Sequence, residues 1–303
     1  MIASCLILLG LSGCVAKEAP PWRPEAADLL FTSARDGDGE IYLRRAGAEE
    51  WTNLTDHDSS DNWPIWSSEG TRVVFQSRRT GNLDIWVMSA DGSNPVQLTT
   101  DAEPDYLPAW SPDGETILFT SWRKEEGDLE RAPHIYRMNP DGSDQRRLVA
   151  TSLSTSEGAA WASDGKLIVF SRKVAENGAD IFVADSDGKN ERRITNDAEK
   201  GVYNGSPSFS PDGKLIAFYS DDGSAAALVI VGIDGAGRRT ILAEGHNWYP
   251  RWSPDGRWIV YTASVESGDK GNVDIFAVPV AGDGQPTLLV GSDKRDLEAS
   301  WRR

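Results

Sequence analysis

Six polar residues stand five positions ahead of a large aromatic: Asp61, Asp105, Ser156, Asn204, Asn247 and Asp296 precede Trp66, Trp110, Trp161, Phe209, Trp252 and Trp301. Beside them lie Asn62, Tyr106, Glu157, Gly205, Trp248 and Leu297, with Trp63 and Tyr249 one position further on. A partly acidic ring of this kind, interleaved with aromatics, suits a cation, a peptide amine or a basic loop of a partner. The same Asp and Asn types also form Asx turns at the entry to a strand. A second set is basic: Arg35, Arg78, Arg79, Arg123, Lys124, Arg172 and Lys173, interrupted later in the chain by Asp221, Asp222 and Glu266. Two readings fit it. Either these bases pair with nearby carboxylates at the surface, each pair contributing about 0–1 kcal/mol, or they form an asymmetric docking face. The long connection from Trp122 to Pro133, with Asp128 and Glu130 inside it, is the first candidate for partner contact, because long connections in compact domains often carry function.

Catalytic signatures are sparse. The chain has no G-x-S-x-G elbow, no H-E-x-x-H and no C-x-x-C. Its three histidines, His57, His134 and His246, fall in three different repeats, which spreads them too widely for ready convergence on one ion. No metal site and no cofactor are expected. The repeated Ser-Pro-Asp-Gly differs from a sialidase Asp box by one residue between Asp and Gly. Carboxylates such as Asp61 with Asp105 or Glu157 keep a hydrolase or lyase acting on carbohydrate or peptide open as the alternative to a non-catalytic binder.

The elements that position these residues emerge from a repeat. Trp66-SSEG, Trp110-SPDG, Trp161-ASDG, Phe209-SPDG and Trp252-SPDG follow one another at 44, 51, 48 and 43 residues. Pro presets φ at the second turn position and Gly accepts a positive φ at the last, so each unit opens with a tight hairpin. Nine residues after each anchor comes Phe75, Phe119, Phe170, Phe218 or Tyr261, with Val73, Ile117, Ile168, Ile216 or Ile259 two before it. That spacing sets the register of a second strand. A third strand follows at Ile85-Trp86-Val87 and its equivalents, then an Asp-Gly turn, then a fourth ending in Leu-Thr. Leu29-Leu30-Phe31, Ile41-Tyr42-Leu43 and Trp51 to Thr55 supply three strands without an opening one, and Trp301 supplies an opening strand without the rest. The expected fold is all-β: a six-bladed β-propeller of four-stranded antiparallel blades over 29–303, closed by pairing of the C-terminal strand with the N-terminal blade.

Composition agrees with that reading. Of 303 residues, 29 are Gly and 16 Pro, and 12 Trp supply large buried surfaces for many short strands. Lys and Arg number 31 against 47 Asp and Glu, a formal charge of −16, the wrong sign for nucleic acid or an anionic membrane surface.

The W-S-P-D-G hairpin, the D-I-W-V-M-S-A-D-G strand and turn, and the L-T ending together resemble the propeller repeats of the TolB family, a WD-repeat-like group, from Leu29 to Arg303. The resemblance implies a protein-binding propeller of the bacterial envelope. Ala227 departs from it, standing where Asp84, Asp180 and Asp274 stand elsewhere, as do Ala162 and Ser163 in place of Ser-Pro. TolB itself carries an additional amino-terminal α/β domain, for which there is no room ahead of Leu29, so a TolB role does not transfer whole. The repeats are also similar to the propellers of prolyl-oligopeptidase-like peptidases, without their hydrolase domain.

Residues 1–13 are uncharged, and the apolar run from Cys5 to Leu11 is too short to span a bilayer as a helix. Leu11-Ser12-Gly13-Cys14 resembles the lipobox of bacterial lipoproteins, although Met1-Ile2-Ala3 lacks the usual positive charge. The resemblance implies a signal peptide over 1–13 and lipidation of Cys14, followed by a Pro-rich tether over 14–28. Val15 after that cysteine fits outer-membrane sorting. The expectation is therefore a lipid-anchored monomer on the periplasmic side. It meets an envelope protein or a cell-wall-associated ligand through Asp61, Trp63, Asp105, Tyr106, Glu157, Asn204, Asn247, Trp248, Tyr249 and Asp296, with Arg79, Trp122, Arg123 and Arg172 on the loop face.

Overall fold

A computed structural model describes residues 23–126, 131–149, 156–264, 272–282 and 284–302. Cys14, Asp128, Glu130 and Glu266 lie outside them. Among the described residues the architecture is all-β, apart from two short 3-10 turns at Pro24–Ala26 and Ala198–Lys200.

Strands of four kinds recur. The opening strands are Asp61–Trp66, Asp105–Trp110, Ser156–Trp161, Tyr203–Phe209, His246–Trp252 and Asp296–Trp301. Their antiparallel partners, the second strands, are Arg72–Ser77, Ile117–Ser121, Leu167–Ala175, Leu215–Asp221, Trp258–Ser264 and Leu29–Ser33. Third strands such as Asp84–Ser89 and Gly178–Asp185 follow, then short outer strands such as Val96–Gln97 and Arg192–Arg193. The last opening strand pairs with the first second strand, Leu29 facing Trp301 and Ser33 facing Asp296.

These strands do not divide into six separate sheets. Three sheets have four strands each and a fourth has twelve. Within the larger sheet, three antiparallel groups meet at single parallel pairs, Ala179 with Tyr203 and Ala226 with His246. The difference rests on little bonding: Ala179 N–H donates to the Val202 carbonyl at 3.1 Å and Ala226 N–H to that of Gly245 at 3.1 Å. Elsewhere Asp61 N–H donates to the Gly39 carbonyl at 2.7 Å and Asp105 N–H to that of Leu83 at 2.8 Å, linking neighbouring groups without a strand pair.

The register read from the sequence holds. Phe75, Phe119, Phe170, Phe218 and Tyr261 are buried, as are Val73, Ile117, Ile168, Ile216 and Ile259 two positions earlier. Fully burying a side chain of this size stabilises the fold by about 1.5–3 kcal/mol. Six apolar clusters form the core, and each draws on two neighbouring groups. One of them packs Val260, Ile275 and Val290 from near the end of the chain against Leu29, Phe31 and Trp301.

The Asp and Leu-Thr motifs are explained by each other. Asp180, at the start of its third strand, accepts the Thr195 hydroxyl at 2.6 Å, and the same hydroxyl oxygen accepts the Ile181 N–H at 3.0 Å. Asp84 with Thr99 and Glu40 with Thr55 repeat the arrangement. The pair closes the end of the third and outer strands, where backbone donors would otherwise lack partners.

Candidate functional site

Asp61, Asp105 and Asp296 are wholly buried, and this corrects the expectation of an open acidic ring. Arg79 binds Asp61 at 2.6 Å, Arg123 binds Asp105 at 2.5 Å and Arg35 binds Asp296 at 2.9 Å. Each guanidinium also lies over core aromatics: Arg35 is 4.1 Å from the Trp51 ring centre, Arg79 5.4 Å from Trp86 and Arg123 5.5 Å from Phe119. The acidic and basic rings are thus one set of clamps. Burial pushes the Asp105 carboxyl upward, outweighing the opposite effect of Arg123. Where the opening strand begins with Ser156 instead of a carboxylate, Arg172 turns to Glu191 at 2.7 Å and stacks on Phe182 at 4.6 Å. Arg172 and Lys173 sit within a strand, Leu167–Ala175, not in a connection. Arg79, Arg123 and Arg172 therefore serve packing between strands and do not present a basic face.

Asn204 and Asn247 are also structural. Asn204 donates to Asp180 and to Thr195, each at 3.2 Å, while Asn247 donates to the carbonyls of Ala226 at 3.0 Å and Glu244 at 2.9 Å. The histidines are not brought together: His57 is exposed in the connection between Trp51–Asn53 and Asp61–Trp66, His134 is buried in its third strand, and His246 stacks on Trp248 with ring centres 5.5 Å apart.

In the next stretch of each opening strand a bulge interrupts the pairing and re-aims the side chains. Register breaks after Asn62, Tyr106, Glu157, Gly205 and Trp248, and near Leu297 in the last opening strand. The residue three before each anchor then has positive φ: Trp63 60°, Leu107 54°, Gly158 66°, Ser206 48°, Tyr249 57° and Glu298 59°. Five of these are not glycine, a conformation that costs free energy and must be held by its surroundings. Side chains of the preceding group hold it: Thr32 and Glu298 accept the Trp63 N–H, Gln76 accepts that of Leu107 at 2.9 Å, and Thr120 that of Gly158 at 3.2 Å.

On the strand-entry side of the bulges, three neighbouring groups share one carboxylate. The Tyr203 hydroxyl donates to Glu157 at 2.7 Å and the Tyr106 hydroxyl at 3.1 Å, while the Trp122 indole donates to Tyr106 at 3.2 Å. Tyr219 stacks on Tyr203 at 6.1 Å and covers Gly205, where a Cβ would lie 2.5 Å from its ring. Burial and the Glu157 charge drive both donating phenols far above their ordinary range, so they stay protonated. Trp63 meets Tyr249 edge-on at 4.8 Å. Tyr106, Glu157, Trp248 and Tyr249 are half-buried and Trp63 is buried.

On the other side of the bulges a cavity of about 350 Å³ touches all six opening strands and reaches the first hairpins at Pro112, Pro211 and Pro254. The sequence reading placed the functional opening at strand entry and missed this space, together with Tyr203, Tyr219, Arg251 and Glu298. Arg251 had a legible signal. It stands one before its anchor, where the other strands carry Ile65, Ala109, Ala160, Ser208 and Ser300.

A family model described as the TolB beta propeller domain matches residues 12–94 and 63–245. The chain belongs to the TolB β-propeller family. Among solved structures it is similar to TolB from Acinetobacter baumannii, with TM-score 0.73 and 19% identity over 91% of this chain and 66% of that one. A putative TolB from Agrobacterium tumefaciens gives 0.66 and 19% over 91% of this chain and 98% of that one. Oligogalacturonate lyase in complex with manganese gives 0.62 and 14%, over 89% and 75%. Such low identities show the fold alone. In sequence, the uncharacterised protein Atu1656 of Agrobacterium fabrum is 29% identical over 151 residues, 49% of this chain and 49% of its own length. The chain thus spans about half the length of that relative.

Proposed function

We propose that this TolB-family chain is a non-catalytic, monomeric six-bladed propeller, lipid-anchored at Cys14 on the periplasmic side of a bacterial envelope, outer membrane preferred. In this reading it binds a protein partner or a cell-wall-associated ligand at the strand-entry end of its centre. Six interface clusters, one of them joining the last strands to the first, support a closed wheel. The observation that carries the binding reading is the cluster of Tyr106, Glu157, Tyr203 and Trp122. It offers a carboxylate and ring faces in a fixed arrangement, and its phenols stay protonated, which suits recognition better than proton transfer.

Crosslinking in intact cells is expected to recover a specific partner, and recovery should disappear when Tyr106 and Trp248 are both changed to Ala. Undiminished recovery in the double variant would sink the reading. Turnover of cell-wall or polysaccharide extract that vanishes with Glu157→Gln would replace it with an enzyme. Cys14→Ser is expected to move the protein from the membrane to the soluble fraction.

A further inference from the structure

The cavity on the hairpin side of the bulges is walled by aromatics from six strands, Trp66, Trp110, Trp161, Phe209, Trp252 and Trp301. Arg251 is the one charged side chain lining it among the described residues. Arg251 is half-buried, and among the described residues its guanidinium makes no hydrogen bond and no ion pair. Its central carbon lies 5.6 Å from the centre of the Trp63 ring, and it lines a small void together with Glu298. Glu298 is already engaged, accepting the Trp63 N–H at 2.9 Å and the Thr32 hydroxyl at 3.0 Å. Burial lowers the Arg251 pKa only to about 10, so the side chain is charged at neutral pH. A guanidinium that faces an apolar cavity without a protein hydrogen-bond partner is open to pairing with an anion that enters.

We infer that this cavity is a second binding site, separate from the strand-entry cluster, for a ligand with an apolar body and a single carboxylate that Arg251 binds in a bidentate pair. The volume falls at the small end of the range for ligand pockets of about 300–1,000 Å³. Aromatic walls accept the body, and one planar guanidinium matches one carboxylate. Three of the rim hydroxyls are already committed, Ser111 donating to Asp113, Ser253 to Asp255 and Ser208 to the Pro250 carbonyl.

Two sources present this chemistry, a free small acid and the C-terminus of a peptide. Intrinsic tryptophan fluorescence titrations of the full chain should use indole-3-propionic acid against its amide, and an acetylated peptide ending in free leucine against the amidated form. The wild type is expected to prefer at least one acid over its amide by about 10–100-fold, the scale of a charge-assisted hydrogen bond. Arg251→Gln should reduce that acid to the level of its amide, and Tyr106→Ala should leave the preference intact. Tight binding of the peptide would identify a chain end, and binding of the small acid alone a free metabolite. Should Arg251→Gln fail to fold, Ala160→Trp, which fills the cavity, must abolish acid binding. Equal affinities for acid and amide in the wild type, absence of binding by both acids, or an acid preference that survives in folded Arg251→Gln would overturn the proposal. None of these outcomes depends on whether partner capture at the strand-entry end succeeds.

Discussion

At the scale of single residues, the buried ion pairs dominate what substitution should do. Removing one member of such a pair leaves an uncompensated charge and typically costs about 3–5 kcal/mol. Arg79→Met is therefore expected to lower unfolding free energy by that order in a urea titration, since Asp61 beneath it is wholly buried. The double variant Asp61→Asn with Arg79→Met should recover part of the loss; losses that simply add would show that the two do not act as a pair. Glu298 sets a pH dependence. Burial raises its carboxyl above the ordinary glutamate value, against the pull of Trp63 N–H, Thr32 and Arg251. Below that ordinary value both folded and unfolded chains hold the proton and no cost arises. As pH climbs above it, the unfolded chain releases the proton first, so the wild type loses stability relative to Glu298→Gln until the folded group also ionises. The gap between the two proteins should widen with rising pH and then level off; a constant gap would refute this account.

At the scale of elements, the glycine of the Asp-Gly turn has a specific reason. Each such turn rests on the outer strand of the preceding group. A Cβ on Gly188 would lie 2.3 Å from the Leu148 carbonyl oxygen, on Gly92 2.5 Å from that of Leu54, and on Gly142 2.7 Å from that of Leu98. Gly81 also has positive φ, 88°, yet nothing lies within 4 Å of its would-be Cβ. Gly81→Ala should cost about 1–2 kcal/mol from backbone conformation alone, and Gly188→Ala clearly more, because two groups must separate. Comparable thermal shifts for the two would count against turn-to-strand docking. The bulged opening strands follow a related logic: a residue forced to positive φ is tolerated because its N–H is received by the neighbouring group, so the bulge belongs to the contact between groups as much as to its own strand.

For the whole molecule, the pairing of Leu29–Ser33 with Asp296–Trp301 joins residues from opposite ends of the sequence. The Ser300 hydroxyl also donates to the Pro64 carbonyl at 2.9 Å, and Arg302 reaches Asp28 at 3.3 Å. Deleting residues 297–303 would expose a second strand along its length and remove Trp301 from an interface cluster. The truncated protein is expected to aggregate or lose its cooperative thermal transition; a soluble, monomeric product with unchanged heat resistance would contradict ring closure.

The sequence by itself determined the strand register, the repeated turns and the partner of the last strand, because those depend on period-two alternation and on turn residues with fixed offsets. Phe75, Phe119 and Phe170 sit where spacing alone put them. Only the tertiary structure decided which polar residues face the centre. Asp61 and Arg79 each read as exposed when counted singly, yet 2.6 Å of separation in the folded chain makes them a buried pair. Tyr106, Glu157 and Tyr249 were legible from their offsets, whereas the bulges beside them, and Tyr203 joining Glu157 from a neighbouring strand, were not. Side-chain facing in a bulged strand depends on bonds to the next group, and sequence offsets carry no information about those bonds.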